Sequence, residues 1–100
     1  MTSKVTCKRE SDTLTFRITG NFNYAIVLGV KKLVEQQKKA DKYVIDLAGV
    51  THINSSAFGA LIYIKETYGA GDNDISIINS SPEVVKMLKG VNFHQLFQIV

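Results

Sequence analysis

Two adjacent serines, Ser55 and Ser56, are the residues in this chain whose chemistry and position most clearly suggest a function. They follow an apolar segment typical of a strand and precede an apolar segment typical of a helix. The start of a helix leaves backbone N–H groups without partners, and the helix dipole favours negative charge there. A phosphate on either hydroxyl would be stabilised at this point, so the pattern predicts a modification switch.

Other reactive or metal-ligating residues do not form a catalytic pattern. His52 and His94 have no Cys, Asp or Glu at ligand spacing, so we expect no metal site and no cofactor. Asp46 has no second acid or base at a useful spacing, which favours a structural hydrogen-bonding role. Cys7 is expected to act as a small hydrophobic residue. We therefore expect no enzymatic activity.

Length and composition indicate one ordinary domain. The chain has 100 residues, of which 45% are hydrophobic, and a formal net charge of +3. Lysines cluster between residues 31 and 42 but alternate with Glu35 and Asp41, which indicates a solvated helix face and argues against nucleic-acid binding. The first ten residues lack an apolar signal core, and no apolar stretch approaches about 18 residues. With a single cysteine, these features predict a cytoplasmic protein that does not insert into a membrane.

The first half of the chain predicts a hairpin, a helix and a buried strand. Alternating residues over 4–9 and 13–19 predict two antiparallel strands, and the glycine at residue 20 starts a break over 20–23. Asn23 is predicted to cap a helix over 24–39. The apolar run over 43–48 predicts a strand covered on both faces.

The second half predicts two further helices and two short strands. The helix that begins at the serine pair is expected to end near Gly69, before a strand over 75–79. Ser81 and Pro82 indicate the start of a helix that ends at Gly90, followed by a turn and a short strand over 97–100. The order β-β-α-β-α-β-α-β predicts an α/β fold, a small mixed sheet with helices packed on it.

Five short motifs are spread over the whole chain. They are Gly20–Asn23, Val44–Leu47, Asn54–Gly59, Ile77–Val84 and Asn92–Phe97. In this order and spacing the chain resembles a STAS domain of the anti-sigma factor antagonist type. The resemblance implies a single STAS domain over residues 1–100.

The resemblance also implies a function and its partners. A serine kinase of the anti-sigma factor type is expected to phosphorylate the second serine, Ser56, with Ser55 as the second choice. A PP2C-like phosphatase is expected to remove the phosphate, and a further downstream effector protein is a third class of partner. The unphosphorylated form is expected to bind its partner, commonly the kinase itself.

Recognition by the kinase or partner is expected to involve the residues around the serine pair. Because the helix is apolar almost all the way round, a small domain can hardly bury every side of it. The residues expected to contribute are Asn23, Asn54, Ser55, Ala57, Phe58 and Ile62. Positions 23 and 54 usually carry acids in the family, and asparagine keeps their capping ability but loses their charge.

Two alternatives remain open from the sequence. The first is a constitutive STAS docking subunit of a transporter or lipid-transport complex that is not regulated by phosphorylation, which Asn54 in place of an acid keeps open. The second is a small-ligand or nucleotide sensor. The isolated glycines Gly20, Gly29 and Gly59 do not make a phosphate-binding loop, so direct binding would be needed to support it.

Overall fold

A computed structural model describes residues 3–100, which form five strands, three helices and one short 3-10 turn. The elements in chain order are β1 (Lys4–Glu10), β2 (Thr13–Phe22), α1 (Tyr24–Gln36), β3 (Lys42–Ile53), α2 (Ser55–Tyr68), β4 (Ile75–Ile78), α3 (Pro82–Gly90), the 3-10 turn Phe93–Gln95 and β5 (Gln98–Ile99). The predicted order of strands and helices is confirmed.

The strands follow one another across the sheet in the order β1-β2-β3-β4-β5. The first pair is antiparallel and the other three are parallel. Each parallel connection passes through a helix, or through a helix and a 3-10 turn. Right-handed crossovers that advance in one direction place their helices on one face. The molecule therefore has two layers, with the other face of the sheet open.

The open face corrects the prediction that β3 is covered on both sides. Tyr43, Ile45 and Leu47 are buried against the helices, whereas Val44 between them is half-buried and Ala48 is exposed. The sequence is apolar on both faces over this segment, but helices cover only one of them.

Strand pairing extends β2 and β3 beyond their predicted ends. β2 continues through Gly20 to Phe22, and β3 continues to Ile53, because the two strands pair as far as Phe22 and Ile53. The predicted break over 20–23 is therefore wrong. Gly20 has a φ of 80°, which allows the chain to pass a register shift within the strand.

The core lies between the sheet and the helices. The alternating residues of β2 that were expected to share a face, Leu14, Phe16 and Ile18, are fully buried. Helix α1 contributes a buried stripe at helical spacing and ends at Gln36, earlier than predicted. None of the helices in residues 3–100 is long and apolar enough to cross a membrane.

Candidate functional site

The pairing of β2 with β3 brings the starts of α1 and α2 together. Phe22 and Ile53 are the last paired residues of these parallel strands. Each is followed at once by the asparagine that caps a helix, Asn23 for α1 and Asn54 for α2. Asn23 and Asn54, which were both expected to take part in recognition, therefore lie next to each other at the C-terminal ends of the two paired strands.

Asn54, and not a serine, is the N-cap of α2. Its backbone is extended, and its Oδ1 accepts a hydrogen bond from the backbone N–H of Ser56 at 3.1 Å. The Ser56 hydroxyl also donates to this oxygen at 2.5 Å. Ser55 is the first residue of the helix and does not act as its cap. The asparagine amide performs the capping role expected of it, without charge.

The two serines present their hydroxyl groups differently. Ser55 is exposed, whereas Ser56 is half-buried and its hydroxyl donates to Asn54. The first turn of α2 carries only uncharged residues. This end of the helix can therefore accept a negatively charged group without repulsion from its own first turn.

The predicted apolar patch is only partly at the surface. Phe58 and Ile62 are half-buried, and the Phe58 ring packs edge-to-face on Phe93 with 5.4 Å between ring centroids. Ala57 is 0% exposed because it lies on the helix stripe that faces the core. Its expected contribution to kinase or partner recognition stays a prediction, and its side chain is not at the surface.

One glycine of α2 and two apolar residues of α1 are exposed. Gly59 is exposed, and a Cβ atom added there would lie within 4 Å of no atom of residues 3–100 outside its own stretch of helix, so it does not pack closely on another element there. On the adjacent helix, Tyr24 and Leu28 are 65% and 49% exposed. Sequence reasoning missed this pair. Their spacing of one helical turn, away from the buried stripe of α1, was the available signal.

The opposite end of α2 is held by aromatic packing. The Tyr68 ring stacks on Tyr43 with 4.7 Å between centroids, and its hydroxyl donates to the carbonyl of Val34 at 3.0 Å. Burial raises the pKa of Tyr68 to about 12. Gly69 then ends the helix with a φ of 65°, in the left-handed region that glycine adopts easily.

Comparison with known proteins identifies the family. The family model that represents STAS domain sequences matches residues 4–100 of this chain. A STAS-domain containing protein of Pseudomonas aeruginosa (strain UCBPP-PA14) is 35% identical over 91 residues, which cover 90% of each chain. This chain belongs to the STAS family.

Solved structures share the fold of this STAS domain. An anti-sigma factor antagonist from Mycobacterium paratuberculosis superposes with a TM-score of 0.77 at 14% identity, covering 98% of this chain and 85% of that one. The Bacillus protein SpoIIAA in its phosphorylated form gives 0.73 at 13% identity, covering 97% and 91%. A sulfate transporter family protein from Wolinella succinogenes gives 0.71 at 14% identity, covering 84% and 70%. These identities show a common fold alone, which confirms the predicted fold class.

The remaining reactive groups of the STAS domain lie away from the serine pair. Within residues 3–100, no three His, Cys, Asp or Glu side chains are grouped as a metal site. Cys7 is half-buried against the core, and burial raises the pKa of its thiol, which lowers the fraction of nucleophilic thiolate. A depression of about 470 Å³ lies on the open face of the sheet, and its lining includes Lys4 and Arg17.

Proposed function

We propose that this STAS domain is a partner-switching regulator of the anti-sigma factor antagonist type. Reversible phosphorylation of the serine pair controls its binding to a serine kinase of the anti-sigma factor type, and a PP2C-like phosphatase reverses the modification. The observation that carries the proposal is an exposed hydroxyl at an uncharged helix start, beside exposed apolar side chains. In this scheme the domain is a substrate and a binding partner and performs no catalysis.

The structure bears on which serine accepts the phosphate. The family resemblance assigned Ser56, but Ser56 is half-buried as a residue and its hydroxyl donates to Asn54. A phosphate on Ser56 would break this bond at the cap, whereas a phosphate on the exposed Ser55 would leave it in place. Accessibility therefore favours Ser55, and our proposal includes both serines.

A phosphate here changes the surface while the fold is kept. It adds about 1.5 to 2 negative charges at neutral pH, and the start of a helix stabilises negative charge. A partner that covers Phe58 and Ile62 would have to desolvate this dianion, which is costly without a matching cation. Phosphorylation is therefore expected to weaken docking without unfolding the domain.

Gly59 supports a docking role for this side of α2. A glycine inside a helix costs roughly 0.5–1 kcal/mol of stability relative to alanine. The space around Gly59 is open, so packing within residues 3–100 does not explain the glycine. A partner that approaches the helix backbone closely would explain it, and Tyr24 and Leu28 on α1 would extend the contact.

The experiment begins with protein purified from its native host. Intact-mass analysis with mapping of the peptide over residues 54–65 is expected to show an addition of roughly 80 Da, the mass of a phosphate. Variants Ser55→Ala and Ser56→Ala identify the acceptor, since only one of them should abolish the addition. Ser81→Ala is the control, because Ser81 is a serine at the start of another helix, where it caps α3 by accepting from the N–H of Val84.

The second step measures binding of the modified and unmodified forms to the captured kinase. We expect the phosphorylated form to bind at least about tenfold more weakly, a difference of about 1.4 kcal/mol. The alanine variant of the acceptor should bind under all conditions. Equal binding by the two forms would contradict the switch.

A constitutive docking subunit is the second candidate. Asn54 carries no charge where an acid usually stands, which could weaken recognition by a kinase while leaving the docking surface unchanged. The fold is also shared with a sulfate transporter family protein. This candidate predicts no phosphate under varied growth conditions, and partner binding that Ser55→Asp leaves unaltered. If Asn54→Asp raises the rate of phosphorylation, the missing acid matters for recognition.

A further inference from the structure

Strand β3 changes its phase before it reaches the serine pair. Its buried residues alternate regularly up to Leu47, but the next buried residues are Val50 and Ile53. Regular alternation would have pointed residue 49 at the core. In the pairing with β2, Arg17 lies opposite Asp46, but Thr19 lies opposite Gly49, so β3 contains one extra residue between these pairs. This β-bulge reverses which side chains of the strand face the core at Val50, and a second register shift, between Val50 and His52, restores the original alternation by Ile53.

The carboxylate of Asp46 lies at the bulge. Its Oδ1 accepts the backbone N–H of Ala48 at 2.9 Å and the side-chain amide of Asn79 at 3.3 Å. Its Oδ2 lies 3.7 Å from Nε of Arg17, and the side chain is 13% exposed. One carboxylate therefore contacts the bulge, strand β2 and the residue that follows β4.

These contacts occupy the point where β4 separates from β3. The pairing of β3 with β4 ends at Asp46 and Ile78, while β3 continues beside β2 to Ile53. Asn79 turns the chain away with a φ of 61°. Its amide and the Ala48 N–H both donate to the Asp46 carboxylate at this fork.

The strand after the bulge has little freedom to shift. A Cβ atom on Gly49 would lie 2.7 Å from Cγ2 of Thr19, so the two strands approach each other closely here. The segment then runs directly into the Asn54 cap. A slip by one residue would turn Val50 away from the core and rotate the start of α2.

We infer that Asp46 is a positioning residue for the serine pair: its carboxylate holds the first of the two bulges in the segment of β3 that leads to Asn54, Ser55 and Ser56. The biological meaning of this role rests on the proposed function. The structural role does not, and it can be measured without a kinase.

The experiment is amide hydrogen exchange followed by NMR on the full chain, with the amide of Phe16 as the internal reference. Asp46→Val keeps a branched, strand-forming side chain but removes both acceptor oxygens. We expect exchange at Ala48 and Ser56 to rise at least about fivefold relative to Phe16, because the Ala48 N–H loses its acceptor and the strand that leads to the Asn54 cap is held less firmly. Asp46→Asn keeps an acceptor oxygen, so its exchange should stay within about twofold of wild type at both amides.

Asp74→Asn is the matched control. Asp74 precedes β4 and pairs with Lys42 at 2.8 Å, at the opposite end of the same two strands. Removing its charge should leave exchange at Ala48 and Ser56 unchanged. Unchanged exchange at Ser56 in Asp46→Val would overturn the inference, even if exchange at Ala48 rises.

A more conservative substitution decides the question if Asp46→Val does not fold. Asp46→Thr replaces the two carboxylate oxygens by one uncharged hydroxyl, which is a weaker acceptor for the two donors. Exchange at Ala48 and Ser56 should then rise together, and wild-type exchange at both would refute the positioning role. Because amide exchange does not depend on phosphorylation, a chain that is never phosphorylated would contradict the proposed function and leave this result intact.

Discussion

The two ends of helix α2 are built in opposite ways. At its C-terminal end, Tyr68 is 5% exposed, stacks on Tyr43 and donates a hydrogen bond to Val34 on α1. At its N-terminal end, Asn54 forms its hydrogen bonds with Ser56, two residues away, and Ser55 is exposed. A long-range hydrogen bond and ring stacking hold Tyr68, whereas the capping hydrogen bonds of Asn54 are local.

This difference explains how a helix can carry a modification without losing its place in the fold. The C-terminal end and the core stripe supply the contacts that fix the helix, so they must stay unchanged. Asn54 and Ser55 at the N-terminal end are exposed, so a charge can be added there without being buried. The comparison predicts that substitutions at the two ends will separate stability from function.

Removing the Tyr68 side chain should have the largest effect. Tyr68→Ala deletes a buried ring and its stacking on Tyr43, and we expect a loss of about 3–4 kcal/mol in the free energy of unfolding. Urea denaturation followed by circular dichroism measures this loss. Ser55→Ala is the control at the other end of the helix and should change the value by less than about 0.5 kcal/mol. A loss below about 1 kcal/mol in Tyr68→Ala would contradict the conclusion that the C-terminal end of α2 contributes more to stability than its N-terminal end.

Alkaline pH should act on the same end of the helix and should lower the free energy of unfolding by less than Tyr68→Ala does. The pKa of Tyr68 is about 12 in the folded state, against 10.0 for an unperturbed tyrosine, so the folded protein holds this proton more tightly. The raised pKa stabilises the folded state fully below about pH 10. This stabilisation is lost as the pH rises towards 12, and the free energy of unfolding falls by about 2–3 kcal/mol at the top of the range. Tyr68→Phe should lack this loss. Unfolding measured at pH 9 and pH 11.5 in both proteins gives the difference, and parallel decreases would contradict the role of Tyr68.

Removing the cap of α2 should cost less than either change at the anchored end. Asn54→Ala deletes the oxygen that accepts from Ser56, and we expect a loss of about 1 kcal/mol. Asn54→Asp keeps the acceptor and adds a favourable charge, so its stability should equal or exceed that of wild type. Asn23→Ala, which removes the equivalent cap of α1, is the reference in urea unfolding. A larger loss than in Tyr68→Ala would reverse the ranking of the two ends.

The smallest predicted effect on stability has the opposite sign. Gly59→Ala should stabilise the domain by about 0.5–1 kcal/mol, because the new methyl group points into open space. The same variant should bind the partner more weakly if docking needs the bare backbone. Glu66→Ala, at another exposed position of α2, is the control for binding. A stabilised variant with unchanged affinity would show that the partner does not approach Gly59 closely.

The sequence by itself determined the element order and two helix caps, Asn23 and Ser81. These features depend on local chemistry: a side-chain oxygen that bonds a nearby N–H, or a period of two residues that marks the buried face of β2. The motifs also identified the family. In the site, they correctly located an uncharged helix start that carries two serines.

The tertiary structure decided what local patterns leave open. Helix α2 is apolar on nearly every side, so its sequence could not show that Ala57 faces the core while Gly59 faces outward. The first bulge of β3 lies beside a hydrogen bond between Asp46 and Asn79, a residue 33 positions away along the chain. Burial and register are settled by contacts between distant segments, and a pattern read along one segment contains no information about which neighbour will cover it.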